Sequence, residues 1–123
     1  MYDFQLLKPE TLTEAVAALA SGEAQALAGG QTLLPTMKQR LADPGTLVSL
    51  TAIAELQGVH QSDGCLVIGG ATTHAEVARA AKASFAALAA LAGQIGDPAV
   101  RNRGTIGGSL ANNDPSACYP AAV

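Results

Sequence analysis

The stretch from Ile95 to Pro115 constrains this chain most. It is punctuated by Gly96, Gly104, Gly107 and Gly108, carries Arg101, Arg103, Asn102, Asn112 and Asn113, and keeps neither a helical nor a strand period. A globular domain rarely spends so long an irregular segment on connection alone, because its backbone polar groups need partners. The expectation is that something outside the chain's own ladders satisfies those N–H groups. A phosphate-bearing ligand is the natural candidate.

Two more glycine turns support that idea, Gly29-Gly30-Gln31-Thr32 and Gly69-Gly70-Ala71-Thr72, each placed after an apolar run. Successive N–H groups in such turns form anion-binding concavities, and glycine lets a phosphate approach without a Cβ in the way. Any one of them alone reads as an ordinary tight turn. Three in 123 residues, two beside cationic side chains, favour a nucleotide. No G-x-G-x-x-G or G-x-x-x-x-G-K-[ST] string occurs, so neither a Rossmann nor a P-loop cradle is expected.

The intervening chain alternates strand and helix signals. Phe4 to Leu7 reads as a strand closed by Pro9. Thr11-Leu12-Thr13-Glu14 reads as a capping box, with Leu12, Ala15, Val16 and Leu19 following at helical spacing up to Ser21-Gly22. Strands are expected at Ala24–Ala28 and Thr46–Leu50, with a helical turn or two over Thr36–Leu41 and a short helix from Thr51 to Gln57. Strand, helix and strand in so short a span make a βαβ or split βαβ unit. Past Gly58, Ser62-Asp63-Gly64 is a turn before the strand Leu66–Ile68. A second capping box, Thr73-His74-Ala75-Glu76, opens a helix to about Lys82, and Ser84 is placed to cap a further helix with Phe85, Leu88, Leu91, Ala92 and Ile95 along one face. The fold class is therefore α+β: two small α/β subdomains, 1–57 and 58–123, the second incomplete.

A net charge of −3 argues against a nucleic-acid partner, and no apolar run reaches the length of a membrane span. A cytoplasmic protein is the default. Cys65 and Cys118 are too few for a zinc or iron–sulfur framework and are expected as reduced thiols, with Cys65 a buried small hydrophobe. His74, one residue past an expected N-cap, reads as exposed. Arg101 and Arg103 either neutralise phosphate or pair with Asp97 and Asp114. Asn112, Asn113 and Asp114 suit ribose hydroxyls, a heterocycle edge or turn chemistry before Pro115. Ser109, His74 and Asp114 could be assembled into a hydrolase triad, but nothing resembles a nucleophile elbow, which ranks that reading last.

The residues Ala28-Gly29-Gly30-Gln31-Thr32-Leu33-Leu34-Pro35, taken with Ile95-Gly96-Asp97-Pro98-Ala99-Val100-Arg101-Asn102-Arg103-Gly104-Thr105-Ile106-Gly107-Gly108-Ser109-Leu110-Ala111, resemble the FAD-binding medium subunit of molybdenum hydroxylases. This is the flavoprotein of the carbon monoxide dehydrogenase and xanthine dehydrogenase group, and the resemblance runs along essentially the whole chain. It implies a vanillyl-alcohol-oxidase-type (PCMH-type) FAD-binding fold with FAD extended between two α/β subdomains. The cofactor-binding residues it implies are Leu27, Ala28, Gly29, Gly30, Gln31, Thr32, Leu33 and Leu34 around the pyrophosphate. Gly104, Thr105, Gly107, Gly108 and Ser109 would lie over the ribityl and diphosphate, with Ile95, Gly96, Asn112 and Asp114 nearby. No residue is implied as a catalytic acid or base, and no metal is expected.

The resemblance also implies partners: a molybdopterin-containing large subunit that transforms the organic substrate and a 2Fe–2S small subunit that feeds electrons to FAD. The acceptor would be NAD, oxygen or a quinone. It further implies an acidic residue near the flavin where this chain has Cys118, and additional strands beyond Val123. The expectation is a hetero-oligomer or a self-associating fragment. The alternative is a remnant or interaction domain that keeps the fold without binding FAD productively.

Overall fold

A computed structural model describes residues 1–122; Val123, the last residue of the expected second subdomain, lies outside the described residues. The chain begins with a three-stranded parallel sheet formed by β1 (Gln5–Leu7), β2 (Ala24–Leu27) and β3 (Thr46–Ser49), with helices α1 (Leu12–Leu19) and α2 (Leu33–Lys38) in the two connections. Its order is β1-β3-β2, so the last strand enters between the first two. This is the split form of the expected βαβ unit. β3 is buried along Leu47, Val48 and Ser49, as a central parallel strand covered on both faces must be.

Helix α1 starts as its sequence dictates. The Thr11 hydroxyl accepts from the Glu14 N–H while the Glu14 carboxylate accepts from the Thr11 N–H. Only Ala15 of this helix is fully buried; with Val48 and Ile53 it forms a small core flanked by Leu7, Leu19, Leu50 and Leu56. Alanine lets the helix approach the sheet closely, at the cost of little buried area per residue.

The second half contains the antiparallel hairpin β4 (Val59–Ser62) and β5 (Cys65–Ile68), then helices α3 (His74–Ala80), α4 (Ala86–Gly93), α5 (Pro98–Arg101) and α6 (Ile106–Ala111). A final 3-10 turn spans Tyr119–Ala121. Val77, Ala81, Leu88, Ala89, Ala92, Ile106 and Tyr119 make its core, with Leu66 and Ile68 packed against it. Among the described residues no helix is long and apolar enough to cross a membrane.

Several expectations change here. The Ile95–Pro115 stretch is not irregular: it holds α5 and α6. Asp97 caps α5 by accepting from the Val100 N–H, Pro98 sits at a first-turn position that needs no donor, and the Thr105 hydroxyl caps α6 through the Gly108 N–H. Helix α2 begins at Leu33 rather than Thr36, because Pro35 falls in its first turn. Ser84 does not cap α4, which starts from Phe85 with no side-chain cap, and Phe85 itself is exposed. The second capping box is only half made. Thr73 accepts from the Glu76 N–H, but the Glu76 carboxylate is taken by Arg79. Cys65 is exposed, since on β5 it is Leu66 and Ile68 that alternate inward; both cysteines are free thiols.

Candidate functional site

The three glycine turns converge. The Thr73–Thr105 bridge joins the two later ones, with the His74 N–H donating to the Gly104 carbonyl (3.0 Å), Ile106 to Thr72 (3.1 Å) and Gly107 to Gly70 (2.9 Å). Contact is backbone on backbone. A Cβ on Gly107 would lie 2.7 Å from the Gly70 Cα. One on Gly29 would strike the Arg103 carbonyl oxygen and come within 2.7 Å of the Gly104 Cα. Glycine at these points is thus a packing requirement, which brings the β2–α2 loop onto the turn between α5 and α6.

Beside this junction lies an open cleft of about 820 Å3, walled by the β2–α2 loop on one side and by α6 and the segment after it on the other. That volume falls within the range of ligand clefts. Of the residues expected to bind a cofactor, Leu27, Ala28, Gly29, Gly30, Gln31, Thr32 and Leu33 line it from the first half of the chain. Ile95, Gly104, Thr105, Gly107, Gly108, Ser109, Asn112 and Asp114 line it from the second. Leu34 and Gly96 do not. The Leu34 side chain folds back over Gly30, and the Gly96 carbonyl accepts from the Arg101 guanidinium at 2.8 Å.

The two walls differ in their free hydrogen-bonding capacity. Among the described residues, the amides of Gly29, Gly30, Gln31 and Thr32 donate to no other group of the chain, and the Thr32 hydroxyl caps nothing. The β2–β3 ladder ends with Leu50 donating to Leu27, so these donors lie just beyond its last bond. Opposite them the expectation fails. The Gly104 amide donates to the Val100 carbonyl, those of Ile106 and Gly107 to Thr72 and Gly70, and those of Gly108 and Ser109 to the Thr105 hydroxyl and carbonyl. The run of four successive amides without an acceptor among the described residues therefore lies in the earlier loop, while the later one is held by its own hydrogen bonds.

The charged residues are also committed differently from the alternatives the spacing allowed. Arg101 donates to the carbonyls of Ile95 and Gly96, Asp97 caps α5, and Asp114 accepts from the Ser116 N–H. None of them pairs with another: among the described residues the only ion pair joins Glu76 and Arg79. Arg103 stands beside a smaller recess of about 160 Å3 that also takes in Gly29, Thr73 and Thr105.

Reading the sequence missed Gly70, Ala71 and His74 as lining residues. The first two belong to the third glycine turn, so their signal was present. His74 is buried rather than exposed; its Nδ1 lies 3.0 Å from the Tyr119 hydroxyl, and its Nε2 would be 2.7 Å from a Cβ on Gly104. Burial holds the His74 imidazole below its ordinary pKa, favouring the neutral ring. Burial, helped by the neighbouring Cys118, pushes the Tyr119 phenol up to about 12. Among the described residues no His, Cys, Asp or Glu cluster could hold a metal ion.

Fold and cleft together define a mixed α/β domain with an open, glycine-lined cleft. Comparison with known proteins makes this specific: residues 2–123 match the FAD binding domain in molybdopterin dehydrogenase, and the chain belongs to that family. It is 40% identical over 122 residues to the carbon monoxide dehydrogenase medium chain of Hydrogenophaga pseudoflava, covering 96% of this chain and 42% of that protein. It is 43% identical over 126 residues to the corresponding chain of Afipia carboxidovorans, covering 98% and 43%. In three dimensions it superposes on carbon monoxide dehydrogenase from H. pseudoflava with a TM-score of 0.89 at 41% identity, over 93% of this chain and 41% of that one. Quinoline 2-oxidoreductase from Pseudomonas putida 86 matches with a TM-score of 0.89 at 38% identity, covering 94% and 42%. The chain thus spans about two fifths of the length of these relatives, and the cofactor of its family is FAD.

Proposed function

We propose that this chain supplies the pyrophosphate-holding part of the flavin subunit in a molybdenum hydroxylase. The run of unengaged donors from Gly29 to Thr32, opening on the cleft, carries the reading. Those amides and the Thr32 hydroxyl hold the diphosphate, with Leu27, Ala28 and Leu33 shaping the loop around it. Gly104, Thr105, Gly107, Gly108 and Ser109 form the facing wall, along which the ribityl chain lies. Asn112 and Asp114 offer polar groups further along, and Ile95 an apolar one. Leu34 and Gly96 act behind the wall, on the Gly30 turn and on Arg101.

FAD held there would supply the redox chemistry between an iron–sulfur partner and an acceptor that is NAD, oxygen or a quinone. The residues of this chain orient the cofactor and set its electrostatic surroundings; none is placed as an acid or base. The molybdopterin-containing large subunit and the 2Fe–2S small subunit are the proposed partners, in an assembly located in the cytoplasm. Within the chain we assign 1–57 and 58–123 as two subdomains meeting at the cleft. Both supply walls of the cleft, and separate apolar clusters lie behind them.

Titration of the purified chain with FAD tests this. The expected result is saturable quenching of flavin fluorescence, with a melting temperature that climbs as FAD is raised beyond its Kd. Neither change at saturating FAD would establish the other reading, a domain that keeps the fold without the flavin.

A further inference from the structure

We propose that His74 and Tyr119 form a clamp that sets the width of the cleft, with His74 as the positioning residue. The proposal rests on the cleft being the FAD site. His74 is the first residue of α3 and touches both segments that make the far wall. Its backbone N–H donates to the Gly104 carbonyl at 3.0 Å, and its ring lies so close to Gly104 that a Cβ there would come within 2.7 Å of Nε2. On its other side, Nδ1 meets the Tyr119 hydroxyl at 3.0 Å, with ring centroids 5.4 Å apart.

Tyr119 is fully buried and opens the 3-10 turn that follows Asn112, Asp114 and Ala117, all of them on the cleft lining. One imidazole therefore links the α5–α6 turn to the segment that leaves α6. Both ends of this wall otherwise depend on short elements: α6 has six residues and the 3-10 turn three. Two glycines weaken α6 further, each less favourable than alanine within a helix. Gly70 and Thr72 hold the start of α6 through its backbone, and this buried pair adds a side-chain tie to the segment that leaves it.

The pairing is also chemically selective. A hydroxyl buried against an imidazole nitrogen satisfies two groups at once, and loss of either leaves the other without a partner. Phenylalanine at position 119 would keep the ring and its packing while removing only the hydroxyl, and so isolates the clamp from the core.

The test compares the wild-type chain with Tyr119→Phe, first without FAD. Amide hydrogen exchange at Gly104, Ile106 and Gly107 should quicken about tenfold, the factor that corresponds to one lost buried hydrogen bond. Exchange in α1 and in β3 should not change. With FAD present, the Kd should rise by a similar factor, and the visible circular dichroism of the bound flavin should change shape; a purely structural loss would leave that signature intact. His74→Gln should weaken FAD binding, and adding it to Tyr119→Phe should cost less than the sum of the two single changes. Unchanged exchange at Gly104–Gly107 in Tyr119→Phe would overturn the clamp, whatever FAD does. If the wild-type chain itself fails to bind FAD, the proposed function falls, and the exchange comparison still decides the clamp.

Discussion

Replacing Gly29 with alanine tests the junction from which the cleft is built. The added Cβ would meet the Arg103 carbonyl oxygen, the Arg103 carbonyl carbon at 2.8 Å and the Gly104 Cα at 2.7 Å, all of them backbone atoms. No side-chain rotation relieves such contacts, so the β2–α2 loop and the α5–α6 turn must separate. Overpacking of this kind costs about 3 kcal/mol, the upper part of the usual range, because rigid groups face each other on both sides. With an unfolding entropy of about 2.1 cal/mol/K per residue, a chain of 123 residues loses about 4 °C of Tm for each kcal/mol. Gly29→Ala should therefore melt about 12 °C below wild type. Gly45→Ala is the matched control: its Cβ would meet nothing within 4 Å. That substitution should leave Tm unchanged or raise it slightly through the unfolded chain. Thermal and urea unfolding, followed by circular dichroism, read both variants. A Gly29→Ala protein melting within about 4 °C (~1 kcal/mol) of wild type would refute the backbone-contact argument.

Two further outcomes follow from local geometry. Because burial lowers the His74 pKa in the folded chain, the unfolded chain binds more protons around the ordinary histidine value. Stability should be at its full value above pH 6.5 and fall as the pH drops below it, and His74→Gln should flatten that segment of a urea-midpoint against pH plot. Thr105→Ala removes the hydroxyl that accepts from the Gly108 N–H at 3.1 Å; a loss of about 1–2 kcal/mol by urea unfolding is expected, and a loss under ~0.3 kcal/mol would show that the cap does not hold α6.

What the sequence made legible was chiefly what depends on near neighbours. The Thr11–Glu14 box could be read directly because both bonds close within four residues, and the Glu14 carboxylate accepts from the Glu10 N–H as well without losing Thr11. The Thr73–Glu76 box failed in one half because Arg79, a turn further on, captures the same carboxylate. α5 and α6 were invisible to periodicity: they have four and six residues, and the glycines that argue against a helix are there so that Gly107 can rest on Gly70. The burial of His74 depends on a partner 45 residues away. The glycine turns were visible as candidate site residues, and the structure gathers them around one cleft. Spacing alone could not show which loop keeps its amides free. That is decided by whether a facing carbonyl exists, and Gly70 and Thr72 provide one only to the later loop.

The strand order β1-β3-β2 has a consequence for how the chain acquires its shape. Neither β1 nor β2 has a hydrogen-bonding partner until Thr46–Ser49 arrives between them. A ribosome delivering this protein from its N-terminus therefore releases two unpaired strands and a weakly buried helix before any sheet can close. The Gly29–Thr32 loop, at the end of β2, stays unanchored for the same interval. Its geometry is set in two stages, first when β3 fixes its base and then when Gly104 arrives to press against Gly29. A cofactor that needs both walls meets a finished site only after residues far apart in the chain have been synthesised and docked.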